Sequence, residues 1–195
     1  MPVLRQLPPL NITCKSSDCE NELHCFHQNK KNRIANPNGE CVVCGEVLVD
    51  WDRVRGRHIA DVEHTFTALK VEYWRHSWWH REIDIRAINY ARRKGKTNLK
   101  ESVLNRIRSS VGPSKPFKDG AQTPKVGNII YYAQHATATC CRKCIEHWHG
   151  IPMGRELTAE EIEYFASLIM LYVEERLPDL ADDPIKVPSI RKKTT

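Results

Sequence analysis

Cysteine placement constrains this chain more than any other feature. Eight Cys fall into two groups, Cys14, Cys19, Cys25, Cys41 and Cys44 early and Cys140, Cys141 and Cys144 late, and nine His accompany them in 195 residues. The opening MPVLRQLPPLNITC lacks the continuous apolar core of a signal peptide. The expected compartment is the cytoplasm, where thiols stay reduced and clustered Cys with nearby His read as metal ligands before disulfides. A secreted disulfide scaffold is the competing reading, and no export signal favours it. The hydrophobic share of 41% supports a real core. No apolar run approaches the ~18 residues of a membrane span, so a membrane is not an expected partner.

The clearest local motif is GECVVCGEVLVDW, Gly39 to Trp51. Two Cys separated by two residues can point at one ion across a tight turn, and Gly45 suits a position of positive φ. EVLVDW then alternates as a strand leaving a knuckle would. Zinc takes four ligands, and upstream CKSSDCENELHCFH offers Cys14 with Cys19, or Cys25 with His27, as the second pair. The favoured set is Cys14, Cys19, Cys41 and Cys44, a closed structural Zn2+ site bracketing the basic loop HQNKKNRIANPNGE.

Ile59, Val62, Phe66, Leu69 and Tyr73 recur at steps of three and four, predicting one helix over about 59–82. The same rhythm reaches His76 and His80, which would stand one turn apart on the buried stripe. Trp74, Trp78 and Trp79 read as packing around them. Further on, NIIYYA reads as a strand, and TATCCRKCIEHWH as a helix capped by Thr137 or Thr139. Cys141 and Cys144 then form a C-x2-C at a helix start, where backbone N–H groups favour thiolate. This predicts a second centre made of His76, His80, Cys141 and Cys144, with Cys140 and His135 in reserve, holding a second metal ion of open identity. Two core histidines bonded to carbonyls are the plainer alternative. LTAEEIEYF opens the last helix with Thr158 and Glu161 spaced as a capping box, and its core face is Ile162, Phe165, Ile169 and Val173.

Residues 85–118 hold ten Lys and Arg against one acid, Glu101, while the chain as a whole carries only +6. Two helices broken at Gly95 are predicted there, about 84–94 and 98–110, with Asn98 as a cap for the second. Most acids of the C-terminal part fall within 156–183, so charge is segregated along the chain. A solvated helical face is the ordinary explanation of such a run. The sharper one is a surface for DNA or RNA, using Arg86, Arg92, Arg93, Lys94, Lys96, Lys100, Arg106 and Arg108 on phosphates. Tyr90 and the tryptophans would offer stacking faces.

Gln122-Thr123-Pro124, the run AQHATATCCRKC from Ala133 to Cys144, WHGIPMG from Trp148 to Gly154 and LTAEE from Leu157 to Glu161 form a specific pattern. Over residues 118–175 the chain resembles a family of small bacterial proteins known only as a domain of unknown function. The resemblance implies a bacterial or phage setting and brings no activity with it. It leaves the N-terminal cysteines uncovered.

The expected fold is α+β and mainly helical. A zinc ribbon or treble-clef-like module (1–57) packs on a metal-stapled helical domain (58–178), followed by a flexible tail (179–195). The expected function is zinc-stabilised nucleic-acid binding. The enzymatic alternative is a metal-dependent hydrolase, most plausibly a nuclease, with His135, Glu146, His147 and His149 as catalytic candidates. No D-H or H-H element follows the knuckle, which weakens the treble-clef nuclease. A scaffold or regulatory subunit docked to a protein partner is the third reading.

Overall fold

The computed structural model describes residues 12–27, 38–117 and 121–187. Among them the chain forms seven α-helices: α1 (Trp51–Gly56), α2 (Val62–Leu69), α3 (Tyr73–His80), α4 (Ile85–Ser110), α5 (Ile129–Ala136), α6 (Arg142–His149) and α7 (Ala159–Arg176). Two 3-10 turns, Cys19–Asn21 and Ile59–Asp61, complete the helical content. The β contribution among the described residues is two isolated bridges, Asp18 with Leu23 and His24 with Glu72. The protein is thus mainly helical, and no described helix is long and apolar enough to cross a membrane.

Helix α7 is the axis of the core. It packs against α2, α4 and α5, while α3 lies on α5 and α1 on α6. Tyr164, Phe165, Leu168, Ile169, Tyr172 and Val173 turn inward from it at steps of three and four. The cap is as expected: Thr158 Oγ1 accepts from Glu161 N–H and the Glu161 carboxylate accepts from Thr158 N–H.

The single helix expected over 59–82 is two helices separated by an irregular step at Lys70 to Glu72. Tertiary pairing causes the break. His24 N–H donates to Val71 carbonyl at 2.8 Å, and Tyr73 N–H donates to His24 carbonyl at 2.9 Å. The interruption resets the helical phase. Trp74, Arg75, Trp78 and Trp79 become the buried face of α3, and His80 is exposed. Val62, Phe66 and Leu69 keep their expected inward positions, whereas Ile59 is exposed.

NIIYYA is a helix, α5, not a strand. Asn128 Oδ1 caps it by accepting from Ile130 N–H at 2.9 Å, and seven of its eight residues are buried. A short run buried on all sides carries no periodicity that separates helix from strand. EVLVDW forms no strand either. Val47 and Leu48 are exposed, and Asp50 caps α1 through Arg53 N–H. The N-cap of α6 is Cys141, rather than Thr137 or Thr139.

The break at Gly95 stands as expected, with φ 68 and ψ 164 between the two halves of α4. Asn98 does not cap the second half; its side chain donates to Lys94 carbonyl. The stretch expected as a flexible tail runs back along α4. Lys96 N–H donates to Ala181 carbonyl, Ile185 N–H donates to Arg92 carbonyl, and Leu180 is buried. Residues 188–195, Lys118 and most of the basic loop, 28–37, lie outside the described residues.

Gly95 serves this return directly: a Cβ there would meet Asp182 carbonyl oxygen at 2.4 Å, in a backbone region that L residues rarely enter. Gly95→Ala is expected to destabilise the protein by about 2–4 kcal/mol, from strain and overpacking together. Urea unfolding checks this, and a loss under ~1 kcal/mol would mean that the tail yields easily.

Candidate metal centres

The first centre is built by a knuckle and by a strand-like segment pinned to the α2–α3 junction. Gly45 N–H donates to Cys41 carbonyl and Cys41 N–H to Glu46 carbonyl, both at 2.9 Å, closing the turn, with Gly45 at φ +80. His24 is fixed from the other side by the backbone pairing at Val71 and Tyr73. The result brings together Cys19, His24, Cys41 and Cys44, one ligand atom from each, all within 4.8 Å of one another. Cys19 Sγ lies 3.8 Å from Cys41 Sγ, and Cys44 Sγ lies 3.4 Å from His24 Nδ1. Burial opposes ionisation of Cys41, but backbone N–H groups around the knuckle and His24 outweigh it and draw the thiol down to about 6. Cys19 is pushed up to about 12 by burial and by hydrogen bonds to Cys41 and Cys44. The four groups can hold a metal ion.

Three of the four ligands expected here are therefore together, and His24 stands where Cys14 was expected. The C-x4-H spacing of Cys19 and His24 was the available signal, overshadowed by the equally spaced Cys14 and Cys19. Cys14 lies toward the second cluster instead: burial and then the charge of Cys144 push its thiol up, against the pull of Arg75, and its carbonyl faces Cys25 Sγ at 3.5 Å. Cys25 is buried, and its carbonyl accepts from Val42 N–H, so it supports the knuckle through its backbone. Burial pushes its thiol up to about 11.

Cys140, Cys141 and Cys144 form the second cluster, with all three sulfurs within 4.8 Å and Cys140 Sγ 3.5 Å from Cys144 Sγ. They too can hold a metal. His76 and His80 are not brought to them. Their rings lie 4.3 Å apart, against each other, on the face of α3 that the junction turned outward. His76 is lowered by partial burial and by the neighbouring His80 and Lys70. In their place α3 supplies Arg75. Its Nη2 donates to Cys144 Sγ at 3.2 Å, and its Nη1 donates to His135 carbonyl at 2.7 Å and approaches Cys140 Sγ at 3.9 Å. Its Nε donates to Glu72 Oε2 at 2.9 Å, which also accepts from Trp148 Nε1 at 2.7 Å. Burial acts against the Arg75 charge, but Cys144, Glu72 and Cys140 more than offset it. Burial raises Glu72 despite that partner. Hydrogen bonds from Cys140 and Cys144 pull Cys141 down to about 2. Sequence reading missed Arg75 and Glu72; the one sign was an i, i+3 charge pair flanking Trp74 in an apolar stretch.

The remaining candidates are spread around this cluster. His135 Nε2 is 2.9 Å from Thr123 carbonyl, and the ring stacks on Trp78 at 4.2 Å. His149 Nε2 is 3.0 Å from Thr137 carbonyl, with Phe165 edge-on at 4.8 Å. Burial lowers both imidazoles to about 4. His147 lies beside Trp51 and is pushed down to about 3, again by burial. Glu146 accepts from Met153 N–H at the end of α6. Thr123 ties the QTP segment to the cysteine loop: its N–H donates to Cys140 carbonyl and its hydroxyl to Gln134 Oε1. Arg142 grips the carbonyls of Val111, Pro152 and Arg155.

Of the eight basic residues proposed for phosphates, Arg86, Arg92, Arg93 and Arg108 are exposed, and Lys94 is half-buried. Lys100 pairs with Glu163 at 2.6 Å, and Lys96 shares a groove with Lys100, Glu174 and Asp182. Arg106 turns toward Thr123 and Gln134, with its guanidinium 5.0 Å from the Tyr131 ring.

A helical protein with two Cys-rich clusters able to hold metal is the class that this fold and these sites define. The chain belongs to the family described as a domain of unknown function, DUF4186, whose model matches residues 63–174. The match takes in the second cluster and Arg75 and leaves the first cluster outside. No solved structure matches the chain.

Two outcomes follow for the buried charges. Arg75→Met would strand Glu72 and is expected to cost about 3–5 kcal/mol. Pairing it with Glu72→Gln should restore part of that in a denaturant double-mutant cycle, and a loss below ~1 kcal/mol for Arg75→Met would remove Arg75 from this role. His149 titrates at about 4 when folded against ~6.5 unfolded, so its contribution is full above ~6.5 and is lost as pH falls through that window. Between pH 7 and 5 this amounts to about 2 kcal/mol. His149→Gln should flatten the stability profile by that amount, and an unchanged slope would assign the acid sensitivity elsewhere.

Proposed function

We propose that this is a zinc-stabilised nucleic-acid-binding protein that lays a phosphate backbone along one face of α4. The carrying observation is a shallow groove of about 570 Å3 lined by Tyr90, Arg93, Lys94, Asn98, Glu101, Ser102 and Asn105. It spans the Gly95 break, with exposed Arg86 toward one end and, toward the other, exposed Arg108, which stands 3.8 Å from Glu101 of the groove. Arg and Lys supply affinity for phosphates, Asn and Ser supply hydrogen bonds, and Tyr90 offers an aromatic face. The surface is narrower than the sequence run, because Lys96 and Lys100 face acids and Arg106 faces inward.

Zinc is the ion proposed for the first centre. Tetrahedral zinc with bonds of ~2.3 Å to sulfur sets sulfur neighbours ~3.8 Å apart, and Cys19 and Cys41 stand at 3.8 Å. A closed site with three Cys and one His leaves no position for substrate, so its role is structural and its thiols belong to a reducing compartment such as the cytoplasm. The hydrolase alternative draws on His135, Glu146, His147 and His149. Two of these imidazoles already direct Nε2 at backbone carbonyls, which favours binding over catalysis.

Fluorescence anisotropy with labelled single strands and duplexes tests the reading. Neutralising about four phosphates implies roughly 100-fold weaker binding between about 50 and 200 mM salt. Arg93→Glu with Lys94→Glu should weaken binding at least tenfold, while Lys96→Glu with Lys100→Glu should change it little. Equal losses from both pairs, or indifference to salt, would sink the proposal.

A further inference from the structure

The second cluster differs from the first in what surrounds it. Three sulfurs converge, and the fourth direction is occupied by neither His76 nor His80. Cys140 and Cys141 form part of the wall of a cleft of about 460 Å3, together with Arg106, Ser109, Phe117 and Thr123. Cys144 is not in that wall; it completes the trio on the side where Arg75 donates to it. Among the described residues no carboxylate lines the cleft, and Arg106 supplies positive charge in its wall. A tetrahedral metal with three protein ligands keeps one position for an exchangeable ligand. Charge-assisted donors beside thiolates orient such ligands and tune the metal.

We propose that Cys140, Cys141 and Cys144 hold a thiophilic divalent metal whose fourth position opens into this cleft, where Arg106 directs a small oxyanion, a carboxylate or a phosphate, onto it. Arg75 is a positioning residue. It fixes Cys144 and Cys140 from behind and balances the charge of the trio, while Glu72 and His135 carbonyl hold Arg75 in place. The loop carrying the trio is in turn clamped by Thr123 and Gln134, so the site is set by the hydrogen-bonded shell around it. This assignment does not depend on nucleic-acid binding at α4, nor on the ion at the first centre.

The test uses the full chain loaded with cobalt, whose visible spectrum reports its ligands. Wild-type protein is expected to bind two equivalents. Cys144→Ser should leave one, and Cys44→Ser should also leave one, with a different spectrum. In Cys44→Ser, acetate or inorganic phosphate should shift the remaining bands saturably, and Arg106→Ala should weaken that response roughly tenfold. Where Cys44→Ser fails to fold, the wild-type protein gives the same readout, because its first centre has four protein ligands and no position for the anion. One equivalent in wild type, retained in Cys144→Ser, overturns the site. Bands that ignore both anions but change in Cys14→Ser would mean a closed four-sulfur centre and overturn the open position.

Discussion

A guanidinium with 1% exposure has to be met by acceptors on every side, and the architecture around Arg75 supplies them. Glu72 takes Nε, the His135 carbonyl takes Nη1 and Cys144 takes Nη2. These partners come from the α2–α3 junction, from α5 and from α6, so one side chain ties three segments distant in sequence. An uncompensated buried cation is costly enough that the partners cannot drift apart independently. Glu72 adds a fourth connection by accepting from Trp148, whose ring packs on Phe26 and Trp51.

Those aromatic contacts make the N-terminal segment part of the same body. Trp51 Nε1 donates to Gly39 carbonyl at 2.9 Å, and a Cβ at Gly39 would lie 2.3 Å from that nitrogen, so the indole seats against the knuckle backbone itself. His24 carries the connection further, because the residue that offers Nδ1 to the first cluster also pairs its backbone with Val71 and Tyr73. Order at the first cluster and the break between α2 and α3 are one structural event. The family match begins at residue 63, yet the junction within it is shaped by His24, which precedes it.

The motifs that carry the family resemblance act mainly as a frame for the second cluster. Thr123 of the QTP element holds the Cys140 backbone, Gln134 holds Thr123 and the Thr139 carbonyl, and Arg142 holds three carbonyls around α6. Trp148 reaches Glu72, and Thr158 with Glu161 starts α7. Residues of this kind fix sulfur positions without touching a metal, and preorganisation of that sort is what a site with a free coordination position requires.

Local chemistry was legible in the sequence wherever neighbours along the chain decide it. The C-x2-C knuckle at Cys41 and Cys44, the capping box at Thr158, the break at Gly95 and the inward faces of α2 and α7 each depend on a few consecutive residues, and the sequence alone determined them. Assignments that depend on the approach of distant segments were not legible. The exchange of Cys14 for His24, the outward turn of His76 and His80, the helical state of NIIYYA and the burial of Arg75 were decided only by tertiary structure. Two physical reasons lie behind them: backbone pairing at Val71 and Tyr73, and enclosure of α5 on all sides, override the spacing and periodicity from which a linear sequence is read.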